Sequence, residues 1–137
     1  MESTASGNNY IQKLISESLD DVPFHSQVEW IERLVSTNLP VHLAVHKISD
    51  SKEMPIEYVQ SHRHSHPELN IILGDDQMLT FKVQLGENTY VVESPSSIWI
   101  PSGMEHSAVA TSGSGYFICL ILKDSATSTY ESLTVPP

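Results

Sequence analysis

The sequence predicts an all-β fold, an antiparallel sandwich or barrel preceded by short N-terminal helices. After Pro40 the apolar residues alternate with a period of two, in short segments separated by Gly, Pro, Asn, Asp or Ser. Before Pro40 the apolar spacing is three and four, which is typical of a helix. A chain of 137 residues has room for one domain with one hydrophobic core.

The N-terminal part divides into two predicted segments. Residues 1–9 are small and polar, so we expect a flexible tail and no signal peptide. Residues 10–39 are predicted to be helical, with Pro23 ending the first helix. Ser26 and Glu29 have the spacing of a capping box, which predicts the start of a second helix. The residues expected to point inward are Ile11, Leu14, Ile15 and Leu19 in the first helix and Trp30, Ile31, Leu34 and Val35 in the second.

The remainder of the chain is predicted to be a β domain over residues 40–123, with residues 124–137 as a Ser/Thr/Pro-rich tail packed on it. Trp99 is expected in the core. The predicted strands are Val41–Ile48, Ile56–Ser61, Leu69–Leu73, Met78–Leu85, Thr89–Glu93, Ser97–Ile100, His106–Ala110 and Tyr116–Leu122.

Charge and composition exclude several function classes. The formal net charge of −10 leaves no electrostatic footprint for nucleic acid or an anionic membrane surface. No apolar run is long enough to cross a bilayer. The single cysteine, Cys119, cannot form an internal disulfide, and it is expected to be a buried small side chain. These features predict a cytoplasmic protein.

The first chemical motif lies between Ser61 and Gly74. If the chain is extended here, His62 and His64 point to the same side, because alternate side chains of a strand share a face. Two imidazoles placed in this way can bind one divalent cation, and Glu68 can add an oxygen ligand. Such a donor set suits zinc, iron, manganese, nickel or copper better than calcium or magnesium.

The second motif supplies a third imidazole. Pro101 and Gly103 form a Pro-x-Gly turn, in which proline fixes one dihedral angle and glycine permits a positive φ. The turn reverses the chain and brings His106 into the next strand. Ligands from different strands converge in this way on the interior of a barrel.

These two motifs resemble those of the cupin family. His62, His64 and Glu68 match the first cupin motif, although Gly74 stands one residue closer than in the strict pattern. Pro101, Gly103 and His106 match the second. There Pro95 replaces the leading glycine, and Ala110 replaces the final asparagine. The resemblance covers about residues 40–123. It implies a cupin-type antiparallel β-barrel (jelly roll), with one divalent transition metal ion (Zn, Fe, Mn or Ni) held by His62, His64, Glu68 and His106.

Other side chains are candidates for a role beside the metal. His66 lies on the same face as His64 by alternation, so it is an alternative ligand, a catalytic group at the rim or an ordinary loop residue. Tyr58, together with Gln60, is expected to face the cavity, where it could donate a proton or simply line the wall. His42 and His46 could line the mouth of the barrel or lie on a solvent face.

The resemblance implies a fold and a site but no single reaction. The favoured function is an enzyme whose metal acts as a Lewis acid on a small carbonyl or carboxylate compound, as in isomerases, lyases and metal-dependent polyketide cyclases of this family. The catalytic candidates are Tyr58, His66 and Glu68. The alternatives are an iron dioxygenase and a non-catalytic small-molecule sensor. A homodimer is expected, as is common in the family.

Overall fold

The computed structural model describes residues 10–122, which form two facing antiparallel sheets. The larger sheet has six strands in the order β1-β2-β3-β9-β4-β7, and the smaller has three in the order β6-β5-β8. The strands are β1 Ile15–Ser16, β2 Ile31–Val35, β3 Val41–Ile48, β4 Glu68–Gly74, β5 Thr80–Leu85, β6 Asn88–Glu93, β7 Ser96–Ile100, β8 His106–Ser112 and β9 Gly115–Leu122. The prediction of an antiparallel all-β fold is confirmed.

The core lies between the two sheets. Phe81 of the small sheet stacks on Phe117 of the large sheet with ring centroids 4.9 Å apart. Around this pair lie aliphatic side chains from both sheets, among them Ile72, Ile100 and Val109, all almost fully buried. Burial of this apolar surface holds the sheets together. Another part of the space between the sheets is a cavity lined by both polar and apolar side chains.

The predicted N-terminal helices are wrong. Within residues 10–39 the only helical element that the structure describes is one 3-10 turn, Leu19–Asp21. Ile11 and Ile15 of the expected apolar stripe are exposed, so no buried surface favours a helix there. The expected second helix is strand β2, in which Ile31, Arg33 and Val35 are buried, as strand periodicity requires.

Tertiary pairing explains why the expected second helix is instead strand β2. All five residues of β2 pair with β3, which satisfies backbone groups that a short helix would otherwise satisfy internally. The capping box does not form either. Ser26 donates its backbone N–H to Tyr58, and the Gln27 side chain donates to the carbonyl of Ile31. The intrinsic helix propensity of a short segment is weak, and such tertiary contacts override it.

The predicted strand Ile56–Ser61 is also wrong. Only one isolated bridge forms there, between Val59 and His25. The N–H of Gln60 donates to the carbonyl of Phe24, so this segment pairs with the loop that follows the 3-10 turn and joins neither sheet. The loop Val22–His25 is thereby drawn over the open end of the cavity, whose wall it forms in part.

The outer face of the large sheet is apolar across four strands, in two rows of paired residues. One row is Leu43, Leu120, Leu69 and Trp99, and the next is Val45, Ile118, Ile71 and Ser97. Trp99 is half-exposed on this face, so its expected place in the core is wrong. The neighbouring side chains Leu73 and Tyr116, paired with each other, extend the apolar surface at one edge. We call these ten residues the outer apolar face.

No helix among residues 10–122 is long and apolar enough to cross a membrane. The predicted tail over residues 1–9 lies outside the described residues, as do residue 123 and the predicted tail over 124–137.

Candidate metal centre

The two sequence motifs meet through their backbones. His62 and His106 form an isolated antiparallel bridge in which each N–H donates to the other's carbonyl, at 3.0 and 2.8 Å. The N–H of Gly103 donates to the carbonyl of His64, at 2.9 Å. Gly103 has φ +81° at the Pro-x-Gly turn, where a side chain would be strained. The predicted turn is confirmed, and it fixes one motif against the other.

Three imidazoles converge at this junction. One ring nitrogen from each of His62, His64 and His106 lies within 4.8 Å of the other two. The ring centroids of His62 and His106 are 4.6 Å apart. Metal–nitrogen bonds in proteins are about 2.0–2.1 Å, so the cluster has the dimensions of a site for one ion. The predicted convergence of these three residues is confirmed.

Each ring is oriented by a backbone carbonyl. The Nδ1 atoms of His62, His64 and His106 donate to the carbonyl oxygens of Gln60, His66 and Met104, at 2.7, 3.0 and 2.8 Å. A carbonyl can only accept, so each Nδ1 carries hydrogen and each Nε2 is left to act as a donor or a ligand. Metal-binding histidines are typically held in this manner.

Glu68 lies at the first residue of β4, against the same cluster. Its Oε1 atom is 2.7 Å from Nε2 of His64 and 3.3 Å from Nε2 of His106. Its Oε2 atom accepts hydrogen bonds from Asn70 at 2.6 Å and from the thiol of Cys119 at 3.1 Å. One carboxylate oxygen is therefore fixed by the sheet, and the other faces the imidazoles.

The electrostatics of Glu68 favour a bound cation. Burial alone would raise the pKa of Glu68, but the adjacent His106 imidazole and the hydrogen bonds from Asn70 and Cys119 lower it to about 2. The group is thus a buried carboxylate at neutral pH, which needs an opposite charge nearby. Nε2 of His106 is buried and has no hydrogen-bond partner among residues 10–122. The three imidazole nitrogens therefore fit a divalent transition metal. Glu68 contacts His64 and His106 but lies outside the group of mutually close ligand atoms, so it places a negative charge beside the site.

The pKa values of the imidazoles move in different directions. Burial lowers the pKa of His62, which favours the neutral ring that a metal needs. Burial also acts to lower the pKa of His106, but the contacts with Glu68 and the Met104 carbonyl outweigh it and raise the pKa. A proton on His106 therefore competes with a metal ion for the same nitrogen.

The cavity beside the cluster has a volume of about 320 Å³ and is closed on one side by the loop Val22–His25. Phe24 of this loop has φ +68°, and its ring stacks on His62 with a centroid distance of 5.4 Å. His25 also lines the cavity. Its ring centroid lies 5.5 Å from that of His62. No sequence motif marked either residue, because the loop reaches the site only through its pairing with residues 58–60.

Two of the predicted catalytic residues lie away from the cavity. Tyr58 is buried in the core, and its hydroxyl oxygen accepts the N–H of Ala110 at 2.9 Å. It does not line the cavity wall, so the expectation that it faces the cavity is wrong, as it is for the exposed Gln60. The segment that contains Tyr58 and Gln60 is not a strand, so the alternation of side chains predicted for it does not continue to His62. His66 is half-buried beside Ser65 and belongs neither to the imidazole cluster nor to the cavity wall.

The cavity also contains a second polar group that the sequence indicated only in part. His42 and His46 of β3 line the cavity, which decides between the two positions left open for them. Both contact Arg33 of β2, a buried residue in the segment that the sequence predicts to be helical. The alternation of Ile31, Arg33 and Val35 was the available signal.

Comparisons with known structures decide the type of fold. KdgF from Halomonas sp. matches with a TM-score of 0.52 at 15% identity, covering 83% of this chain and 97% of that one. A cupin superfamily protein from Desulfitobacterium hafniense matches with a TM-score of 0.54 at 14% identity, over 72% and 83%. The chain has the cupin fold. The Fe(II) form of HppE shares this cupin fold with a TM-score of 0.56 at 10% identity, over 83% of this chain and 62% of that one.

No protein-family model matches the sequence, and no curated protein matches it significantly. Structural similarity at 10–15% sequence identity establishes the cupin fold but no reaction. The function must therefore be argued from the site.

Proposed function

We propose that this chain is a metal-dependent enzyme that acts on a small carbonyl or carboxylate compound. The observation that carries the proposal is the convergence of His62, His64 and His106 at the wall of a ligand-sized cavity, where the ionised, buried Glu68 contacts His64 and His106. A divalent ion held there supplies a Lewis acid that polarises a substrate oxygen and stabilises negative charge on it.

The chain's own residues have distinct tasks in this proposal. The backbone carbonyls that accept from the Nδ1 atoms leave the three Nε2 atoms available to one ion. Asn70 and Cys119 hold Oε2 of Glu68, so only Oε1 turns toward the imidazoles. Phe24 and the rest of its loop limit the access of water from one side. Among residues 10–122, Glu68 is the carboxylate that contacts the cluster, and it can hold a proton that leaves the substrate if Oε1 is free of the ion.

Elemental analysis of protein purified without added metal is the first test. We expect about one equivalent of zinc, nickel, manganese or iron per chain. Iron accompanied by oxygen uptake during turnover would replace Lewis-acid chemistry with a dioxygenase. A ligand that binds tightly and returns unchanged after long incubation would favour a sensor. Protein that binds none of these ions, even after dialysis against each of them, would overturn the proposal.

We also propose that the chain forms a homodimer through the outer apolar face. Its two rows contain six aliphatic residues, Trp99 and Ser97, and no charged residue, in a chain of net charge −10. Two copies can therefore meet there without the repulsion that other surfaces impose, and exposed apolar surface of this extent is typical of an interface. A second copy presents the same face, as a two-fold interface requires.

Light scattering after size-exclusion chromatography tests the dimer. We expect the native protein at twice the mass of one chain and Trp99→Asp at the mass of one chain. Tyr90→Asp is the matched control, since Tyr90 is similarly exposed but lies on the small sheet. A monomeric native protein, or a Trp99→Asp protein that remains dimeric, would rule out this interface.

A further inference from the structure

A buried cation lines the same cavity as the three imidazoles. Arg33 is 7% exposed and lies on the inner face of β2. Its Nε atom donates to Oε1 of Glu17 at 2.8 Å. Its terminal nitrogens contact Nε2 of His46 at 2.9 Å and Nε2 of His42 at 3.3 Å. An arginine has no acceptor of its own, so both imidazole nitrogens accept from it.

Only some of the N–H donors of this guanidinium have acceptors in the described part of the protein. A guanidinium has five N–H groups, and among residues 10–122 three of them have acceptors. One N–H on each terminal nitrogen is left. Glu17, the single anionic partner of Arg33 in this part of the chain, is 36% exposed and touches only the Nε side. Its charge is screened by water, whereas Arg33 faces the cavity.

The sheet register places this group at a definite distance from the candidate metal centre. His42 pairs with Ile121 of β9, and Ile121 pairs with Glu68 of β4. His42 and Glu68 are therefore two strand spacings apart, about 10 Å between Cα atoms. Both side chains point to the inner face, into the same cavity. A compound of a few carbon atoms can reach from one group to the other.

We propose that Arg33, oriented by His42 and His46, binds a carboxylate of the substrate, so that the substrate is a small acid with a second oxygen function directed at the three imidazoles. This inference names the substrate class for the cavity. It rests on the proposed function, because the second oxygen function of the substrate would bind the proposed metal ion. Arginine suits this task because its planar fork binds a carboxylate through two parallel hydrogen bonds. The apolar neighbours Phe117 and Ile121 line the same cavity and strengthen such a pair by excluding water.

Calorimetric titration of the Zn²⁺-loaded protein with succinate and with butyrate tests the inference. Butyrate has the same chain length but lacks one carboxylate. We expect succinate to bind at least ten-fold more tightly than butyrate, and Arg33→Met to abolish this preference without changing the zinc content. Arg63→Met is the matched control, because Arg63 also lines the cavity but is 68% exposed at the rim. We expect the control to change the preference by less than two-fold.

Two further measurements keep the outcomes separable. Arg33→Lys retains the charge without the fork, and it is used if Arg33→Met does not fold; we expect it to lose most of the preference. If the protein binds no zinc, the proposed function fails. Arg33-dependent binding of succinate to the metal-free protein would still support the carboxylate subsite. Equal affinities for succinate and butyrate in the native protein, or an unchanged preference in the Arg33 variants, would overturn the inference.

Discussion

His62 and His106 come from segments more than forty residues apart, yet their backbones exchange two hydrogen bonds of 3.0 and 2.8 Å. Residues paired in this way carry their side chains on the same face, which explains the 4.6 Å between the two rings. The site therefore does not depend on long, flexible side chains. Its geometry follows from one backbone bridge and from the turn at Gly103 that precedes it.

Removal of either bridged imidazole should remove the metal. We expect His62→Ala and His106→Ala to lose at least ten-fold in zinc affinity, because each leaves only two imidazoles in the cluster. Competition with a chromophoric chelator measures the affinity. His66→Ala is the control, since His66 lies outside the cluster, and it should retain the native affinity. Native zinc affinity in both cluster variants would refute this set of ligands.

Asn70 is expected to act on the metal through Glu68. It is almost fully buried, and its amide donates to Oε2 of Glu68 at 2.6 Å. Asn70→Ala removes the group that orients the carboxylate, and partners of this kind are typically worth 10–100-fold in metal affinity. The same competition assay measures the loss. Thermal unfolding of the metal-free variant gives the purely structural cost, and a fall in stability without any fall in zinc affinity would contradict this positioning role.

His46 should make the metal-free protein sensitive to acid. Burial, followed by the positive charge of Arg33, lowers the pKa of His46 to about 3. The unfolded chain therefore binds a proton that the folded chain refuses between pH 6.5 and about 3, so stability falls as pH falls through this range. One such group contributes a slope of up to about 1.4 kcal/mol per pH unit.

Urea unfolding at a series of pH values measures this slope. His46→Gln keeps an acceptor for Arg33 but cannot be protonated, so we expect its stability to depend less on pH than that of the native protein. The carboxylate of Glu68 and the ring of His62 are present in both proteins, and their contributions cancel in the comparison. Identical slopes in the two proteins would show that His46 does not titrate in this way.

Tyr58 is expected to stabilise the fold and to have no part in proton transfer. Tyr58→Phe leaves the buried N–H of Ala110 without its acceptor, which costs about 1–3 kcal/mol. We expect a lower unfolding temperature with unchanged zinc affinity and an unchanged pH profile of any turnover. A selective loss of turnover at native stability would restore the catalytic role that the sequence indicated for Tyr58.

The sequence by itself was sufficient for most of the β domain. The alternation after Pro40 predicted β3 with its observed bounds and β4 to β9 to within a few residues, because one buried face imposes a period of two. The spacing of His62, His64 and Glu68, and that of Pro101, Gly103 and His106, identified the metal candidates. Backbone geometry that is local in the chain controls these features.

Only the tertiary structure decided which residues surround the site. The segment around Ile31 is a strand because β3 offers it a partner, and this pairing turns Arg33 toward His42 and His46. Tyr58 lies in the core because its segment pairs with the Phe24 loop and does not continue the alternation of a strand. Such contacts join residues far apart in the chain, so no local pattern reveals them. The motifs therefore predicted the candidate ligands, whereas the packing of β2 and of the loop Val22–His25 determined the cavity in which a substrate would bind.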